Sequence, residues 1–451
     1  MHRLPLIGRI LRSPPPSILI HDLYPLPSIR HGSSPAAGWQ SFDQRALLLA
    51  REGDIICLGT HPDPHFLDYL KEFDFGPDNE NILVLNKGTH QKTGKDLAAE
   101  LLSNPGCLER LFRCLQGTTK AEICPYFPAE SHFELAQLLR DTGGISASVQ
   151  AARPEVARTA ADKSVVRKAA RDMQVPLAPG AIVRTSPEKI GPLNEAVHEM
   201  ARQTGRVLLR GTIGAGGSTT FLLEENIPDL QKVISKAKQT PDAWLVDVHY
   251  KIRCSPNIEF FLNQKSGKAT CVGVTDQRFD DKLNHLGNAW PSRAHTMPDM
   301  VKAGARMADW YLNMGGKGLV GMDFVEYENP KTGQIQFLLA ELNPRINAAT
   351  YPLAIVERLN HHRKNQGLHP IKTFFSGHIA TGCKDFNDLR KRIETVLYRP
   401  NSQSGLFPYN TGALFDGHFG AVICATDRKE GEAILKETVQ RAKPMSENQE
   451  L

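Results

Sequence analysis

Two short runs in the C-terminal half of the chain carry the residue types best suited to chemistry. The first, Gly-Met-Asp-Phe-Val-Glu-Tyr, contains Asp323, and the second, Ile-Gln-Phe-Leu-Leu-Ala-Glu-Leu-Asn, contains Glu341 and Asn343. Both have strand-like composition, and the Pro-Lys-Thr-Gly between them predicts a hairpin turn. If Asn329 pairs with Ile335 across that turn, counting back places Asp323 directly opposite Glu341. The sequence therefore predicts two facing carboxylates.

Facing carboxylates have a restricted chemistry. Opposed Cβ atoms on paired strands lie ~5 Å apart, and strand alternation puts Asn343 on the same face as Glu341. Two acids so close repel each other, so that either one takes up a proton or a cation lies between them. Mg²⁺ suits such a site because it prefers carboxylate, carbonyl and phosphate oxygens. The simpler alternative is an amphipathic hairpin with solvated acids. We favour the metal because the acids' face is also predicted to carry Ile335, Phe337 and Leu339.

Composition limits the class of protein. A chain of 451 residues is too long for one core and predicts two to three packed units. The net charge of +5 is small and comes with no dense Lys/Arg stripe, which argues against nucleic acid as a partner. No apolar run approaches the ~18 residues of a membrane span, and prolines interrupt the N-terminus too often for a signal peptide. Eight cysteines without a C-x-x-C pair argue against zinc and predict reduced thiols in the cytoplasm.

The N-terminal third has the pattern of an α/β unit. Residues 1–42 are rich in Pro and Ser and are predicted to form a wrapping arm or to be partly disordered. Strands are predicted at residues 54–59 and 81–86 with a helix at 64–73 between them, as in a βαβ unit. Further helices are predicted at 94–102, 107–115 and 133–139. Together these elements predict a small domain with a parallel sheet.

A glycine-rich stretch, residues 211–220, marks the second unit. It follows a helix that Asp162 is predicted to cap, and it lies between the predicted strands 206–210 and 221–224. Dinucleotide fingerprints and P-loops need a helix start after the glycines, and the following strand argues against both. A flap between two strands can instead cover a triphosphate with backbone N–H groups and the hydroxyls of Ser218, Thr219 and Thr220. Taken alone, the stretch fits a plain turn equally well.

The remaining elements are a strand or connector at 244–250, a strand at 258–262 and a helix at 299–314. Residues 273–295 form a long polar stretch interrupted by Gly287 and Pro291, as in a substrate-covering loop. Arg278 and Arg293 in that stretch could clamp a substrate carboxylate, although a solvated surface loop explains either arginine equally well. A strand at 420–425 and a helix at 429–441 predict a third small domain.

The order of these parts resembles the ATP-grasp superfamily over residues 160–353. Its most specific pieces are Met-Asp-Phe at 322–324 and Glu-Leu-Asn-Pro-Arg at 341–345. Within the superfamily the chain looks most like peptide ligases related to the pheganomycin ligase, on residues 275–278, 286–292 and 405–412. The resemblance implies a mixed α/β and α+β protein in which two α+β subdomains grip ATP. It implies an arm and Rossmann-like pre-ATP-grasp domain at 1–155, an ATP-grasp domain at 156–360 with its flap at about 180–250, and a C-terminal α+β domain at 361–451.

The resemblance also implies roles for individual residues. Asp323, Glu341 and Asn343 would hold Mg²⁺, and Arg345 would stabilise charge on the reacting groups. Arg293 and Arg278, taken from the polar stretch at 273–295 and not from the resemblance, are further catalytic candidates. The residues implied in nucleotide binding are Lys163, Arg210, Gly214, Gly216, Gly217, Ser218, Thr219, Asp247, Val248, Tyr250 and Glu259. For Glu259 an ordinary exposed strand acid is an equally good interpretation. The family usually has a lysine where this chain has Arg210, which keeps the charge but is bulkier.

The implied activity is ATP-dependent ligation of a carboxylate to an amine through an acyl phosphate, with an amino acid or short peptide as substrate. ATP and Mg²⁺ are the implied cofactors. Small molecules are the expected partners, without nucleic acid or membrane, and a homodimer is compatible with the sequence. One alternative keeps the nucleotide site but has a thiol or phosphoryl acceptor. Another is a non-catalytic nucleotide-binding regulatory protein with a degenerate site, for which Arg210 is the only direct support.

Overall fold

The computed structural model describes residues 16–30, 38–85, 95–185, 190–214, 219–224, 230–234, 243–281 and 283–443. The predicted site residues Gly216, Gly217 and Ser218 lie outside these ranges. Within the described part of the chain, no helix is long and apolar enough to cross a membrane.

The N-terminal unit is a parallel sheet with helices around it. Its strands are β1 (Ser17–Ile20), β2 (Ile55–Leu58), β3 (Ile82–Val84), β4 (Lys120–Pro125) and β5 (Ser146–Val149), in the order β3-β2-β1-β4-β5. All four strand pairs are parallel, as the βαβ pattern predicted. The helices are α1 (Pro27–Arg30), α2 (Pro64–Lys71), α3 (Leu97–Leu102), α4 (Pro105–Cys114) and α5 (Glu130–Gly143), with 3-10 helices at Trp39–Leu48 and Asn79–Asn81.

The central strand of this sheet, β1, lies within the stretch predicted to be an arm. That prediction is wrong for the described residues 16–30 and 38–42, which are mostly buried. Ile18 and Ile20 are fully buried, as expected for a central parallel strand covered on both faces. Four residues between proline-rich segments are too short a run for periodicity to reveal, and only their pairing with β2 and β4 makes them a strand.

A second unit follows, introduced by α6 (Pro154–Ala161) and α7 (Lys163–Asp172). It contains an antiparallel sheet in the order β6-β9-β7-β8, which we call the flap sheet. Its strands are β6 (Gly180–Arg184), β7 (Val207–Gly211), β8 (Thr220–Leu223) and β9 (Ala243–Val248), with helices α8 (Gly191–Thr204) and α9 (Leu230–Ile234). The glycine-rich stretch joins β7 to β8, two antiparallel strands as predicted.

The third unit is an antiparallel sheet in the order β14-β13-β10-β11-β12-β15-β17-β16, which we call the central sheet. Its strands are β10 (Ile252–Asn263), β11 (Lys268–Phe279), β12 (His285–Trp290), β13 (Gly318–Glu328), β14 (Ile335–Asn343), β15 (Thr373–Ala380), β16 (Gly405–Tyr409) and β17 (His418–Ala425). Its helices are α10 (Met297–Asn313), α11 (Thr350–Asn365), α12 (Phe386–Arg392) and α13 (Arg428–Ala442), with a 3-10 helix at Thr411–Asp416.

Helices α10 and α11 pack on opposite faces of the central sheet. Gly304 of α10 contacts the side chains of Phe260 and Met322, whereas Leu353 of α11 lies against Gly273. The C-terminal strands extend this same sheet rather than forming one of their own. The predicted mixed α/β and α+β fold class is confirmed, and the predicted domain boundaries stay predictions.

The predicted substrate-covering loop at 273–295 is wrong, because most of it belongs to β11 and β12. Gly287 suggested a loop but lies inside β12, where its Cα packs against the backbone of Ser376 so closely that a Cβ would clash. A glycine in a strand often marks such a close approach. The reason for a glycine at position 287 is therefore Ser376, a neighbour distant in sequence.

The burial of β1 leads to a stability prediction. Ile18→Ala should lower the free energy of unfolding by ~2–4 kcal/mol, because it opens a cavity in a closely packed core. Ile182→Ala is the matched control, since Ile182 is 40% exposed on the edge strand β6. Chemical denaturation of both variants measures the difference. Equal losses in the two variants would contradict the central position of β1.

Candidate functional site

The β13–β14 hairpin brings Asp323 opposite Glu341, as predicted, but through a different count of residues. The pair nearest the turn is Glu328 with Ile335, one residue earlier on β13 than expected. A β-bulge then leaves Ala340 as an extra residue on β14, and the pairing of the acids is restored. The shift of one residue at the turn and the extra residue at the bulge cancel, so Asp323 still faces Glu341. Bulges are common next to active sites, where they redirect side chains.

The bulge changes which residues share the acids' face. Phe324 pairs with Leu339, and its ring lies 6.0 Å from that of Phe337. Because Phe324 alternates with Asp323, these apolar side chains lie on the face opposite the acids. The prediction that Ile335, Phe337 and Leu339 share the acids' face is therefore wrong. The direct partners of the two acids are polar side chains.

Two amides hold the carboxyl group of Asp323. Asn257 on β10 donates from Nδ2 to Oδ1 at 2.7 Å, and Asn343 donates from Nδ2 to Oδ2 at 3.0 Å. Burial, and after it the charge of Glu341, raises the pKa of Asp323 to about 7. Asp323 thus sits in a fixed orientation and carries a proton easily.

Glu341 is balanced by a cation instead. Lys163 at the start of α7 places its Nζ 3.0 Å from Glu341 Oε1, and its backbone N–H donates to Thr212 at 2.9 Å. Asp162 caps that helix through Ser164, as the sequence predicted for the cap. Burial alone would raise the pKa of Glu341, but the nearby Lys163 outweighs it and lowers the pKa overall. The two acids therefore have opposite protonation tendencies.

Arg345 joins the hairpin to the N-terminal unit. Its Nη2 donates to Asn343 Oδ1 at 3.0 Å and its Nη1 donates to Tyr126 Oη at 2.9 Å. The guanidinium also lies over the Tyr126 ring, 5.2 Å from its centre. Sequence reasoning missed Tyr126 and Asn257, since no motif marks either of them. Each reaches the site only through tertiary packing.

The donor set fits Mg²⁺. Asp323, Glu341 and Asn343 offer carboxylate and amide oxygens, the ligands that Mg²⁺ prefers. Asn257 Oδ1 is buried beside them without a hydrogen-bond partner in the described structure. No cluster of three or more His, Cys, Asp or Glu side chains suited to a metal occurs among the described residues. The candidate site is therefore two carboxylates completed by amides.

The flap sheet is connected to the hairpin by a buried ion network. Asp247 on β9 accepts from Arg167 Nη1 at 2.6 Å and from Arg210 Nη2 at 2.7 Å. Arg210 Nη1 also donates to the Ala340 carbonyl at 2.8 Å, at the bulge itself. Both ends of the Arg210 guanidinium are thus engaged within the protein. The structure places it as a link between flap sheet and hairpin.

The other predicted nucleotide residues differ in their surroundings. Val248 is buried in the core of the flap sheet, and Tyr250 stacks on Tyr327 with ring centres 4.1 Å apart. Glu259 is not an exposed strand acid, because it is fully buried and accepts from Thr350 Oγ1 at 2.9 Å. Burial raises the pKa of Glu259 to about 8.

The described start of the glycine-rich stretch lies next to the acids. Gly214 and Glu341 line the same small cavity of about 30 Å³, together with Asn343 and Arg345. Lys163 Nζ lies 3.4 Å from the Gly214 carbonyl. Gly214 packs against Thr219, so the two ends of the flap meet. Sequence segments separated by more than a hundred residues converge here.

Arg278 and Arg293 are not brought to this place. Both line a larger cavity of about 670 Å³ over β11 and β12. Arg293 donates its backbone N–H to Asp276 at 2.8 Å, and Arg278 lies over the ring of Phe375. Their predicted role as a substrate clamp remains a prediction.

Known proteins are similar to this chain in one segment of sequence and in fold. Residues 43–140 match the Pre ATP-grasp domain family. Biotin carboxylase from Campylobacter jejuni, solved with β,γ-ATP, is similar in fold, with a TM-score of 0.54, 14% identity, and coverage of 94% of this chain and 91% of that one. No curated protein sequence matches the chain.

Two further solved structures have the same fold. N5-carboxyaminoimidazole synthetase from Staphylococcus aureus, complexed with ADP, gives a TM-score of 0.52 at 10% identity, over 94% of this chain and 97% of that chain. N5-carboxyaminoimidazole ribonucleotide synthetase from Thermus thermophilus gives 0.50 at 13% identity, over 96% and 99%. The chain thus shares its fold with these three solved structures.

The pKa of Asp323 predicts pH-dependent binding of Mg²⁺. A carboxyl group with a pKa of about 7 must lose its proton to bind a cation, so the affinity for Mg²⁺ should be about tenfold weaker at pH 6 than at pH 8.

Without metal, the raised pKa of Asp323 stabilises the fold at acid pH, and this contribution is lost as the pH rises through about 7. Thermal midpoints with and without Mg²⁺ should therefore differ more at pH 8 than at pH 6. Asp323→Asn should remove this dependence, whereas Asp299→Asn, at an exposed acid, should keep it.

A glycine beside the acids gives an independent test. A Cβ at Gly321 would overlap the Asn347 amide and come within 3.2 Å of Asn257 Nδ2. Gly321→Ala should displace the amide that orients Asp323 and weaken Mg²⁺ binding by roughly tenfold, the loss expected from disturbing a supporting shell. Gly191→Ala is the control, because a Cβ there meets no atom within 4 Å. Unchanged Mg²⁺ affinity in Gly321→Ala, measured by calorimetry, would argue against the proposed support by Asn257.

Proposed function

We propose that this protein is an ATP-dependent carboxylate–amine ligase that works through an acyl phosphate, with an amino acid or short peptide as a substrate. The observation that carries the proposal is the pairing of Asp323 with Glu341, with Lys163 and Arg345 contacting the same hairpin. This set of acids and cations lies between the three units. Similar folds have been solved with β,γ-ATP and with ADP, which supports ATP as the nucleotide.

Asp323, Glu341 and Asn343 would hold Mg²⁺. When bound, the ion supplies positive charge that neutralises the phosphate oxygens and orients the transferred group. Lys163 would then exchange its contact with Glu341 for a phosphate contact. Such an exchange keeps each buried charge paired, which a buried site requires.

The reaction in this proposal needs positioning more than covalent participation of the protein. A substrate carboxylate oxygen bonds to the γ-phosphorus of ATP, and the bond from that phosphorus to ADP breaks. The amine nitrogen then bonds to the acyl carbon, inorganic phosphate leaves, and the amine releases a proton. Arg345, fixed by Asn343 and Tyr126, would stabilise the negative charge of both steps.

The nucleotide would lie between the flap sheet and the central sheet. Tyr250 and Tyr327 would line the side of the site where the base binds. Asp247 and Val248 come just before Tyr250, at the end of the flap sheet. The phosphates would be flanked by residues of the glycine-rich stretch: Gly214, Gly216, Gly217, Ser218 and Thr219. Glu259, buried near enough to Asp323 for their charges to interact, would act on the same site through Asp323. Because Asp247 and Ala340 occupy both ends of its guanidinium, Arg210 would position the hairpin and add charge at a distance.

Finer assignments remain part of the proposal. These are membership of the peptide-ligase group related to the pheganomycin ligase, a cytoplasmic location, small-molecule partners and a homodimer. Arg278 and Arg293 would contribute to this activity only if substrate reached the cavity over β11 and β12.

A non-catalytic nucleotide-binding protein is the second candidate. One observation favours it: Arg210 replaces the usual lysine, and its guanidinium is engaged with protein groups. An enzyme with a thiol or phosphoryl acceptor would use the same acids. Turnover with different acceptors separates these hypotheses.

Phosphate release from ATP with pooled amino acids is the direct test. The wild type should release phosphate in an amino-acid-dependent manner, and Glu341→Gln should reduce the rate by about 10²-fold or more, as expected when charge stabilisation in a closed site is lost. Glu328→Gln is the matched control, because Glu328 lies on the same hairpin but is 60% exposed. ATP binding without turnover under any acceptor would support the non-catalytic protein. Turnover with thiols but not amines would replace the ligase hypothesis.

A further inference from the structure

The larger cavity lies on the face of the central sheet opposite the acids. Asp323 pairs with Asn257, and their side chains are hydrogen-bonded, so both belong to one face. Asp276 pairs with Pro256, the neighbour of Asn257, and alternation therefore directs Asp276 to the other face. Asp276 lines the cavity. A ligand in this cavity is separated from the Mg²⁺ candidate by the sheet itself.

Two helices leave this part of the sheet uncovered. Helix α10 packs over β10, β11 and β13, where Gly304 contacts Phe260 and Met322, and α13 packs over β15, where Gly431 contacts Phe375. The cavity opens between the two helices, above β12 and the C-terminal end of β11 from Asp276 onward, and residues at the start of α13 line it. Its volume of about 670 Å³ falls within the range of small-molecule sites.

Cations outnumber acids around the cavity. The positively charged side chains that line it are Arg253, Arg278, Arg293, Lys372 and Arg428, and the acids are Asp276, Asp280 and Asp427. Local donors already occupy the acids. Asp276 accepts from the backbone of Arg293, Asp280 accepts from Asn284, and Asp427 caps α13.

Two of the cations lack a direct acidic partner. The guanidinium groups of Arg278 and Arg293 have no hydrogen bond or ion pair with any residue in the described ranges. Arg278 and Arg428 both lie over the ring of Phe375, 5.6 and 6.0 Å from its centre. Burial, and then the charge of Arg428, lowers the pKa of Arg278, although Glu432 acts in the opposite direction. Glu432 pairs with Arg428 at 2.7 Å, so its charge only partly offsets that of Arg278. A cation held in this way beside an aromatic ring favours an anion in the cavity.

We propose that this cavity is a second ligand site, which binds a small polyanion carrying a phosphate or at least two carboxylates. Arg278 and Arg293 would bind the anionic groups. Leu283, Leu286 and Pro291 on the rim would contact an apolar part of the ligand. The site is independent of the nucleotide, and its test does not depend on the proposed ligase activity.

Calorimetric titration of the full chain in metal-free buffer tests the proposal, with citrate as the polycarboxylate probe and pyrophosphate as the phosphate probe. At least one probe should bind, and its affinity should fall as NaCl is raised. Arg278→Gln should weaken binding by about tenfold, the usual effect of losing one charge-assisted contact. The control Arg441→Gln removes the same charge at an exposed ion pair on α13 and should change affinity less than twofold.

A steric variant adds a test that leaves the charge unchanged. Ala289 on β12 lines the cavity, and Ala289→Phe should fill it and abolish probe binding while leaving the affinity for ATP within twofold. Circular dichroism melting checks that each variant is folded. Saturating ATP should not displace the probe. Failure of both probes to bind the wild type, displacement by ATP, or probe binding that survives Arg278→Gln would each overturn the proposal.

Discussion

The repulsion between Asp323 and Glu341 is the constraint on which the rest of the site depends. Neither acid can stay charged in a partly buried hairpin without compensation, and each is compensated by a different part of the chain. Asp323 is held by two amides and retains a proton easily, whereas Glu341 contacts Lys163. The N-terminal unit contributes Tyr126 through Arg345. Charge balance at one hairpin therefore fixes how three units meet.

The buried network around Asp247 has a complementary role. Asp247 accepts hydrogen bonds from both Arg167 and Arg210. Arg210 also donates to the backbone carbonyl of Ala340 at the β-bulge. A buried ion network contributes little net stability but is costly to break, because an unpaired charge would remain in the interior. It therefore defines the position of the flap sheet relative to the hairpin more than it strengthens either. The bulge supplies the free carbonyl that makes this connection.

The central sheet separates two chemical environments. One face carries the acids and amides of the hairpin, with α11 packed beside them, and the other carries α10, α13 and the basic cavity between them. Antiparallel strands direct alternate residues to the two faces, so neighbours such as Pro256 and Asn257 serve different environments. Arg278 and Arg293, which were predicted to clamp a substrate, line the cavity on the second face. For Arg278, strand alternation from Asp276 explains that position.

The sequence by itself determined the parallel N-terminal unit, the flap between two strands and the acidic hairpin, because these follow from periodicity and turn residues among near neighbours. Only the tertiary structure decided the central position of β1, the strands within residues 273–295 and the contact of Lys163 with Glu341. The bulge at Ala340 was likewise decided only by the tertiary structure. These features depend on pairing and burial between segments far apart in the chain, and no local pattern encodes which distant segment a short strand or a single side chain will meet.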